Sequence, residues 1–470
     1  MSGGAVIKMT RSSDIELQKR RLFQTDFPPE EFKSRRRKIF EAIGSDAHAL
    51  LQGKPAPLGF QLFRQSNEFY YCCGVEIPHA YLLMSGSEHS ATLFIPKHPD
   101  HQGDKAPILT AEDAELIKEF TGVDAVHPLE DLTEHLKKVS VLYTPHCPAE
   151  GRSETRHLLF QANRLIAFDP WDGRPSREQH LISLLRTRFP RIEIRDLSPI
   201  LDAMRLVKSP REIELLRRAG HLSALAITEA MRATKPGMME YQLRALANYV
   251  YMMHGAWGEG YASIVASGSN IWDPHYSRND CMMKNGDLVL MDTAPDYHYY
   301  TSDIGRMWPV NGTYSSWQRE LYGFIVEYHK TLLRQIRPGL TADQIMEEAA
   351  REMAEVVDGF NFSKGIYRKA AQRTLEFRGH LSHPVGMTVH DVGNYRSKPL
   401  KPGIVFSVDP QMWVPEEKLY IRVEDTIVVT ENGIENLTGS APLELDDVEA
   451  IMREESAFPI LGGTQTAAST

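Results

Sequence analysis

The 470-residue chain is 42% hydrophobic, 9% aromatic and 24% charged, which excludes a collagen, a wholly disordered chain and a disulfide-built miniprotein. With 53 Lys+Arg against 62 Asp+Glu the formal net charge is −9, so a chain living on nucleic acid or on an anionic membrane is not expected. Four cysteines (Cys72, Cys73, Cys147, Cys281), no apolar run near ~18 residues and no signal-peptide core in Met1–Arg21 point to a reducing, cytoplasmic setting without membrane spans.

In chain order, residues 1–27 are expected as an extended or partly ordered arm, 1–200 as a first domain of mixed helices and strands, 201–455 as a second domain and 456–470 as a small polar tail. Pro28–Ile43 reads as an amphipathic helix with Pro near its start, and its basic run Lys33–Lys38 as a solvated face. Cys72-Cys73 reads as strand core. Ala80–Ile95 reads as a β-hairpin around a Gly/Ser turn, and Ser176–Arg188 as a helix capped by Ser176. A boundary falls near Leu197–Met204. Beyond it, Ser209 caps a helix with Pro210 at its first position and Glu212 three residues after the cap. Further helices are predicted over Met239–His254, Ser316–Arg337 and Thr341–Val357, with strands around them and again from Gly403 to Thr430. The pattern is that of an α+β domain with a largely antiparallel sheet.

One internal repeat stands out. Lys284-Asn-Gly286-Asp-Leu-Val-Leu-Met-Asp292 matches Lys401-Pro-Gly403-Ile-Val-Phe-Ser-Val-Asp409 in Lys, Gly and Asp. A second acid follows each, Asp303 after a turn placed at Pro295–His298, and Glu424 within Leu419–Val429. Arg422 and Glu424 are two apart on a strand, so they share a face. A carboxylate at the end of an apolar strand is costly unless it is paired or binds a metal. Each acid alone reads as a turn or surface residue; four in a repeat share an explanation in divalent cations, which take carboxylate oxygen. Histidines complete the set: His380, His383 and His390 lie within eleven positions, and His275 precedes the first acidic strand.

Taken in order, Arg205-Leu-Val-Lys-Ser-Pro, His275-Tyr, Gly286–Asp292, Ser302-Asp303-Ile, Ser382-His383, Val389-His390-Asp-Val-Gly, Ser407-Val-Asp409-Pro and Arg422-Val-Glu424-Asp resemble the Xaa-Pro aminopeptidase (aminopeptidase P) branch of the proline-peptidase, methionine-aminopeptidase and creatinase superfamily. Arg64–Gly74 extends the resemblance into the first domain, so it covers about residues 30–455. The resemblance implies a creatinase-like α/β N-terminal domain followed by a "pita-bread" catalytic domain of two pseudo-twofold halves. It implies a dinuclear metal centre held by Asp292, Asp303, His383, Asp409 and Glu424, with Asp303 and Glu424 bridging. By the same resemblance His275 and His390 assist at the scissile peptide, Asp409 shuttles a proton and Arg422 supports the bridging acid. Two motif positions depart from the family pattern. Its Glu-Pro-Gly is Asp409-Pro-Gln here, and its His-Gly-x-x-His is Gly379-His380-Leu-Ser-His383.

Two divalent ions, four carboxylates and a bridging hydroxide sum to nearly neutral charge, and oxygen-rich donors suit Mn²⁺, with Co²⁺, Fe²⁺ or Zn²⁺ as replacements. The expected reaction is hydrolysis of the N-terminal Xaa-Pro bond by the bridging hydroxide, in a homodimer or homotetramer. A prolidase-type dipeptidase, a same-fold hydrolase of a non-peptide C–N bond and a non-catalytic binding module are the alternatives. The last loses ground because an oxygen or nitrogen ligand stands at all five positions. Trp257, Tyr261, Tyr299 and Tyr300 read as core more readily than as pocket lining.

Overall fold

The computed structural model describes residues 11–97 and 109–457 and divides the chain into two compact units, Met1–Gly151 with Arg156–Met204 and Arg152–Thr155 with Arg205–Thr470. The expected C-terminal tail falls almost wholly outside the described residues. Where an extended arm is expected, Arg11–Arg20 is a helix, and Phe23 and Phe27 just beyond it are buried. No described helix is long and apolar enough to cross a membrane.

The first unit is built on a mixed sheet of β1 (Ala47–Gln52), β2 (Tyr81–Ser85), β3 (Ser90–Ile95), β4 (Ala125–Pro128), β5 (Val141–Thr144) and β6 (Glu193–Asp196), in the order β4-β3-β2-β1-β5-β6. The hairpin β2–β3 runs in register from Tyr81↔Phe94 to Ser85↔Ser90. The helix Pro29–Ile43 buries Phe32, Ile39, Phe40 and Ile43.

Two expectations fail in this helix and its neighbour. The basic run is only partly solvated, because Arg35 and Arg36 are buried. Arg36 donates to the carbonyls of Cys72 (2.9 Å), Thr121 (3.2 Å) and Gly122 (2.5 Å), so its charge satisfies the C-terminal ends of two helices rather than facing water. Cys72 and Cys73 are core, but they end the helix Asn67–Cys73 rather than sitting in a strand; Gly74 terminates it in the left-handed region at φ 66°.

In the second unit the helix Pro210–Ala233 starts with the predicted reciprocal cap: Ser209 Oγ accepts from Glu212 N, and the Glu212 carboxylate accepts from Ser209 N. Beyond it lie β7 (Ile264–Ser267), β8 (Leu288–Asp292), β9 (Ile304–Pro309), β10 (Val405–Val408), β11 (Gln411–Val414), β12 (Leu419–Arg422), β13 (Glu424–Val429) and β14 (Ile434–Asn436). The main sheet is antiparallel, β10-β13-β9-β8-β7, with β14 also on β13; β11 and β12 form a separate hairpin. About the central β9–β13 pair the order is symmetric, β8-β9 against β13-β10. The sequence repeat is thus seen as two halves of one sheet. Gly286 and Gly403 enter β8 and β10 at nearly equal positive φ, 87° and 88°, a conformation that favours glycine.

The turn between β8 and β9 is tighter and later than expected. His298 and Tyr299 take positive φ (50° and 73°), and Tyr297 and Tyr300 exchange both backbone bonds, the geometry of a two-residue hairpin. The run Leu419–Val429, read as one strand, breaks at Val423, so Arg422 and Glu424 belong to different sheets.

Candidate metal centre

The sheet register collects the acids. Asp292 on β8 pairs with Gly305 on β9, and Gly305 pairs in turn with Glu424 on β13. One residue past the β10–β13 pairing Val408↔Asp425, Asp409 falls opposite Glu424. Residues directly opposite in antiparallel strands share a face, so Asp292, Glu424 and Asp409 form one row, and Asp303, two before Gly305, joins the same face. Glycine at 305 keeps the middle of the row open. A Cβ there would lie 3.2 Å from Glu424 Cβ and 3.6 Å from Arg422 Nε.

Arg422 enters this space from the end of β12. Its Nη1 donates to Asp292 Oδ2 (3.0 Å), its Nε to Asp409 Oδ1 (3.0 Å), and its Nη2 to Glu424 Oε2. Burial works against its charge, but Asp409 and the other acids outweigh this and hold the guanidinium firmly protonated. Tyr261 Oη lies 2.6 Å from Asp292 Oδ1 and 2.7 Å from Asp303 Oδ1, so its single proton is shared between the two carboxylates. Burial, then the two carboxylates, push its hydroxyl well above the ordinary range, so it stays a donor. Thr426 fixes the Asp303 backbone, accepting from its N–H and donating to its C=O, both at 2.8 Å.

The carboxylates are not equivalent. Burial and the nearby charge of Asp303 push Asp292 up to about 7. Burial opposes ionisation of Asp303 as well, but the His383 hydrogen bond and the charges of His383 and Arg422 win, and Asp303 lies below the usual carboxylate range. His383 Nε2 lies 3.3 Å from Asp303 Oδ2 and 3.9 Å from Glu424 Oε1.

Asp303, His383 and Glu424 offer donor atoms all within 4.8 Å of one another, a set able to hold a metal ion. Glu424 Oε1 is fully buried and has no hydrogen-bond partner. A buried carboxylate oxygen left this way is costly unless a cation meets it. Hard oxygen donors with one imidazole suit a divalent ion. The residues present therefore fit such an ion.

Of the remaining predicted residues, Asp409 has a carboxylate that is 4% exposed and divides its oxygens between Arg422 and Gln411 Nε2 (2.5 Å to Oδ2). The His390 ring stands 3.8 Å, centroid to centroid, from that of His383. His275 is exposed, and its ring makes no hydrogen bond with the acids; its backbone N–H donates to Asp273 Oδ1 at 3.1 Å. Of the four aromatics read as core, Tyr299 and Tyr300 are buried, whereas Trp257 is 37% exposed and Tyr261 belongs to the acid cluster. No local signal marks Tyr261, because its partners lie 31 and 42 residues away. Also unforeseen is the buried triad in which Arg205 Nη2 (2.6 Å) and Lys208 Nζ (3.1 Å) hold Asp391, next to His390.

Comparison with known proteins follows the same division. The pattern of metallopeptidase family M24 matches residues 214–431, and that of the aminopeptidase P N-terminal domain matches residues 32–145. The chain is 33% identical over 455 residues to the Xaa-Pro aminopeptidase of Escherichia coli (strain K12), covering 90% of this chain and 97% of that protein. It is 28% identical over 450 residues to the mitochondrial intermediate cleaving peptidase 55 of Arabidopsis thaliana, covering 90% and 83%. Among solved structures, E. coli aminopeptidase P with the inhibitor Pro-Leu superposes with a TM-score of 0.73 at 31% identity, over 91% of this chain and 99% of that one. The proline aminopeptidase P II of Yersinia pestis gives 0.72 at 30%, over the same shares.

Proposed function

The chain belongs to the aminopeptidase P branch of the M24 metallopeptidases, and from that premise we propose that it removes the N-terminal residue of peptides whose second residue is proline. In this reading two divalent ions, most suitably Mn²⁺, are held by Asp292, Asp303, His383, Asp409 and Glu424, and water is the nucleophile. Bound divalent ions of this kind acidify water and polarise a carbonyl oxygen.

The protein's own groups supply the rest. Asp303, Glu424 and His383 would hold the metal, with Asp292 and Asp409 as further carboxylate ligands beside them. Arg422 holds three of the four carboxylates in place, so the row keeps its shape when charge moves. Asp409 accepts the proton of the attacking water and passes it to the leaving nitrogen. In an Xaa-Pro bond that nitrogen carries no N–H, so the arriving proton makes it an amine that can depart. His390, against His383, and His275 donate hydrogen bonds to the oxygen of the attacked carbonyl.

The observation that carries this reading is the convergence of Asp303, His383 and Glu424, with a buried Glu424 oxygen that makes no hydrogen bond; Asp292 and Asp409 stand in the same row on Arg422 but outside that set. The test strips the protein with chelator, restores Mn²⁺ and assays a panel of Xaa-Pro peptides beside matched Xaa-Ala peptides. Metal-dependent release of the first residue from the proline series alone is expected. Equal cleavage of both series, or none of the proline series, would sink the proposal.

A further inference from the structure

The positions that depart from the family's motif pattern converge on one place. His380, Asp409 and Gln411 all line a cavity of about 310 Å³. It lies among the helices Ser316–Gln335, Ala342–Gly359 and Gly365–Glu376 and the strand β11. Leu332, Met346, Phe377, Leu381 and Trp413 make much of its wall apolar.

Two polar atoms belonging to this wall are buried without a hydrogen-bond partner, Tyr328 Oη and His380 Nδ1. Burial pushes the Tyr328 hydroxyl up to about 12, so it remains a donor at neutral pH. Buried polar groups are nearly always satisfied, so two orphans on one void call for an occupant that partners them. Size fits a ring: an apolar void of about 150 Å³ already accepts benzene, and this one is about twice as large. Asp409 joins the void to the carboxylate row, since its Oδ1 bonds Arg422 and its Oδ2 bonds Gln411. The wall carries one cation, Arg373, beside the Asp409 carboxylate, so its charges offset each other and the apolar remainder favours an uncharged ring.

Resting on the aminopeptidase reading, we propose that this cavity is a specificity pocket that takes an uncharged aromatic side chain of the peptide substrate, tyrosine above phenylalanine, with Tyr328 and His380 as hydrogen-bond partners of the hydroxyl. The departures at 380, 409 and 411 then have a common reason. His380 brings a polar partner to the wall, and a shorter acid at 409 with glutamine at 411 sets where the pocket opens toward the reacting bond.

The test compares kcat/KM for Xaa-Pro-Xaa peptides that carry Tyr, Phe, Ala or Glu in turn on either side of proline. Wild type should favour Tyr over Ala at one of these positions by about tenfold or more. Leu332→Trp, which fills the void, should bring that ratio close to one. Tyr328→Phe, a gentler change, should lower Tyr relative to Phe and leave the Phe-to-Ala ratio standing. Equal use of Tyr and Ala by wild type, or a Tyr-to-Ala ratio that survives both substitutions, would overturn the pocket while leaving the aminopeptidase reading intact. If no peptide is cleaved, the aminopeptidase reading fails instead, and calorimetry with p-cresol decides the cavity. Binding by wild type that is lost in Leu332→Trp keeps it as an aromatic-ring site; absence of binding removes it.

Discussion

The two halves of the catalytic sheet carry the same motif and use it differently. In the β8–β9 half, Asp292 and Asp303 are buried and share the hydroxyl of Tyr261. In the β10–β13 half, Glu424 is fully buried with one oxygen that makes no hydrogen bond, and the Asp409 carboxylate, as well shielded as that of Asp292, borders a cavity and is shared by Arg422 and Gln411. Repetition gives both halves an acid at a strand end. What surrounds that acid decides whether it is locked in the core or left at the edge of a pocket. The first half is closed by the Tyr261 hydroxyl, whereas the second stands against a cavity.

The strongest test of this contrast removes the central acids. Asp303→Asn and Glu424→Gln should each abolish hydrolysis, because each carboxylate serves the site from the inner strand of its own half. Activity within about tenfold of wild type in either variant, measured in micromolar Mn²⁺ against an Xaa-Pro peptide, would dissolve the equivalence of the inner positions.

Next in size come the three candidate histidines, His275, His383 and His390, none of which lies in the β8–β9 hairpin. His383→Ala should lower metal content, read by atomic absorption. His390→Ala and His275→Ala should retain metal and lose about 10²–10³ in kcat, the cost of a transition-state donor. Loss of metal in His390→Ala would exchange the roles of the two neighbouring rings.

A smaller effect is expected at the outer acids. Aspartate reaches about 1.5 Å less far than glutamate, one C–C bond, and Asp409 is already engaged by Gln411 and Arg422. Wild type should therefore fall toward one ion per subunit as free metal is lowered, and Asp409→Glu should hold the second ion more tightly. Two ions retained by wild type under chelator challenge would show that the halves bind equally.

The smallest effect is a pH dependence of folding. Burial alone would raise the Asp391 pKa, but Arg205 and Lys208 outweigh it and hold the carboxyl below its ordinary value. A depressed folded pKa contributes stability that is complete above the unfolded value of about 3.9 and is lost as pH falls through the folded value. Thermal or urea unfolding of wild type should thus weaken below about pH 4, by at most about 1.4 kcal/mol per pH unit from this group. Asp391→Asn should remove that part of the slope. An identical slope in the variant would place the acid sensitivity elsewhere.

Much was readable from residues in line. The repeat, the Ser209 cap, the hairpin Ala80–Ile95 and the acid positions all depend on spacing along one chain, and apolar strands with a terminal carboxylate declare themselves locally. Family likeness supplied the rest of the proposed ligand set. Among the readings that failed, three show what local pattern misses. The Lys33–Lys38 run looks solvated until Arg36 meets carbonyls 36, 85 and 86 residues away. Cys72-Cys73 is apolar enough for a strand, yet Asn67–Cys73 is too short for periodicity to tell strand from helix. Tyr261 looks like core until the hairpin β8–β9 brings two carboxylates to its hydroxyl.

By itself the sequence determined the α+β class, which acids repeat, and where helices begin, because caps, glycines of positive φ and strand alternation are short-range physics. Only the tertiary structure decided which of those acids stand in one row, which oxygen is left without a partner, and that His380, Asp409 and Gln411 share a void. Those facts depend on cross-strand register and on helices packed over a sheet. In such packing the cost of a buried, unsatisfied charge or hydroxyl is set by neighbours hundreds of positions removed or only two, and spacing along the chain does not encode the difference.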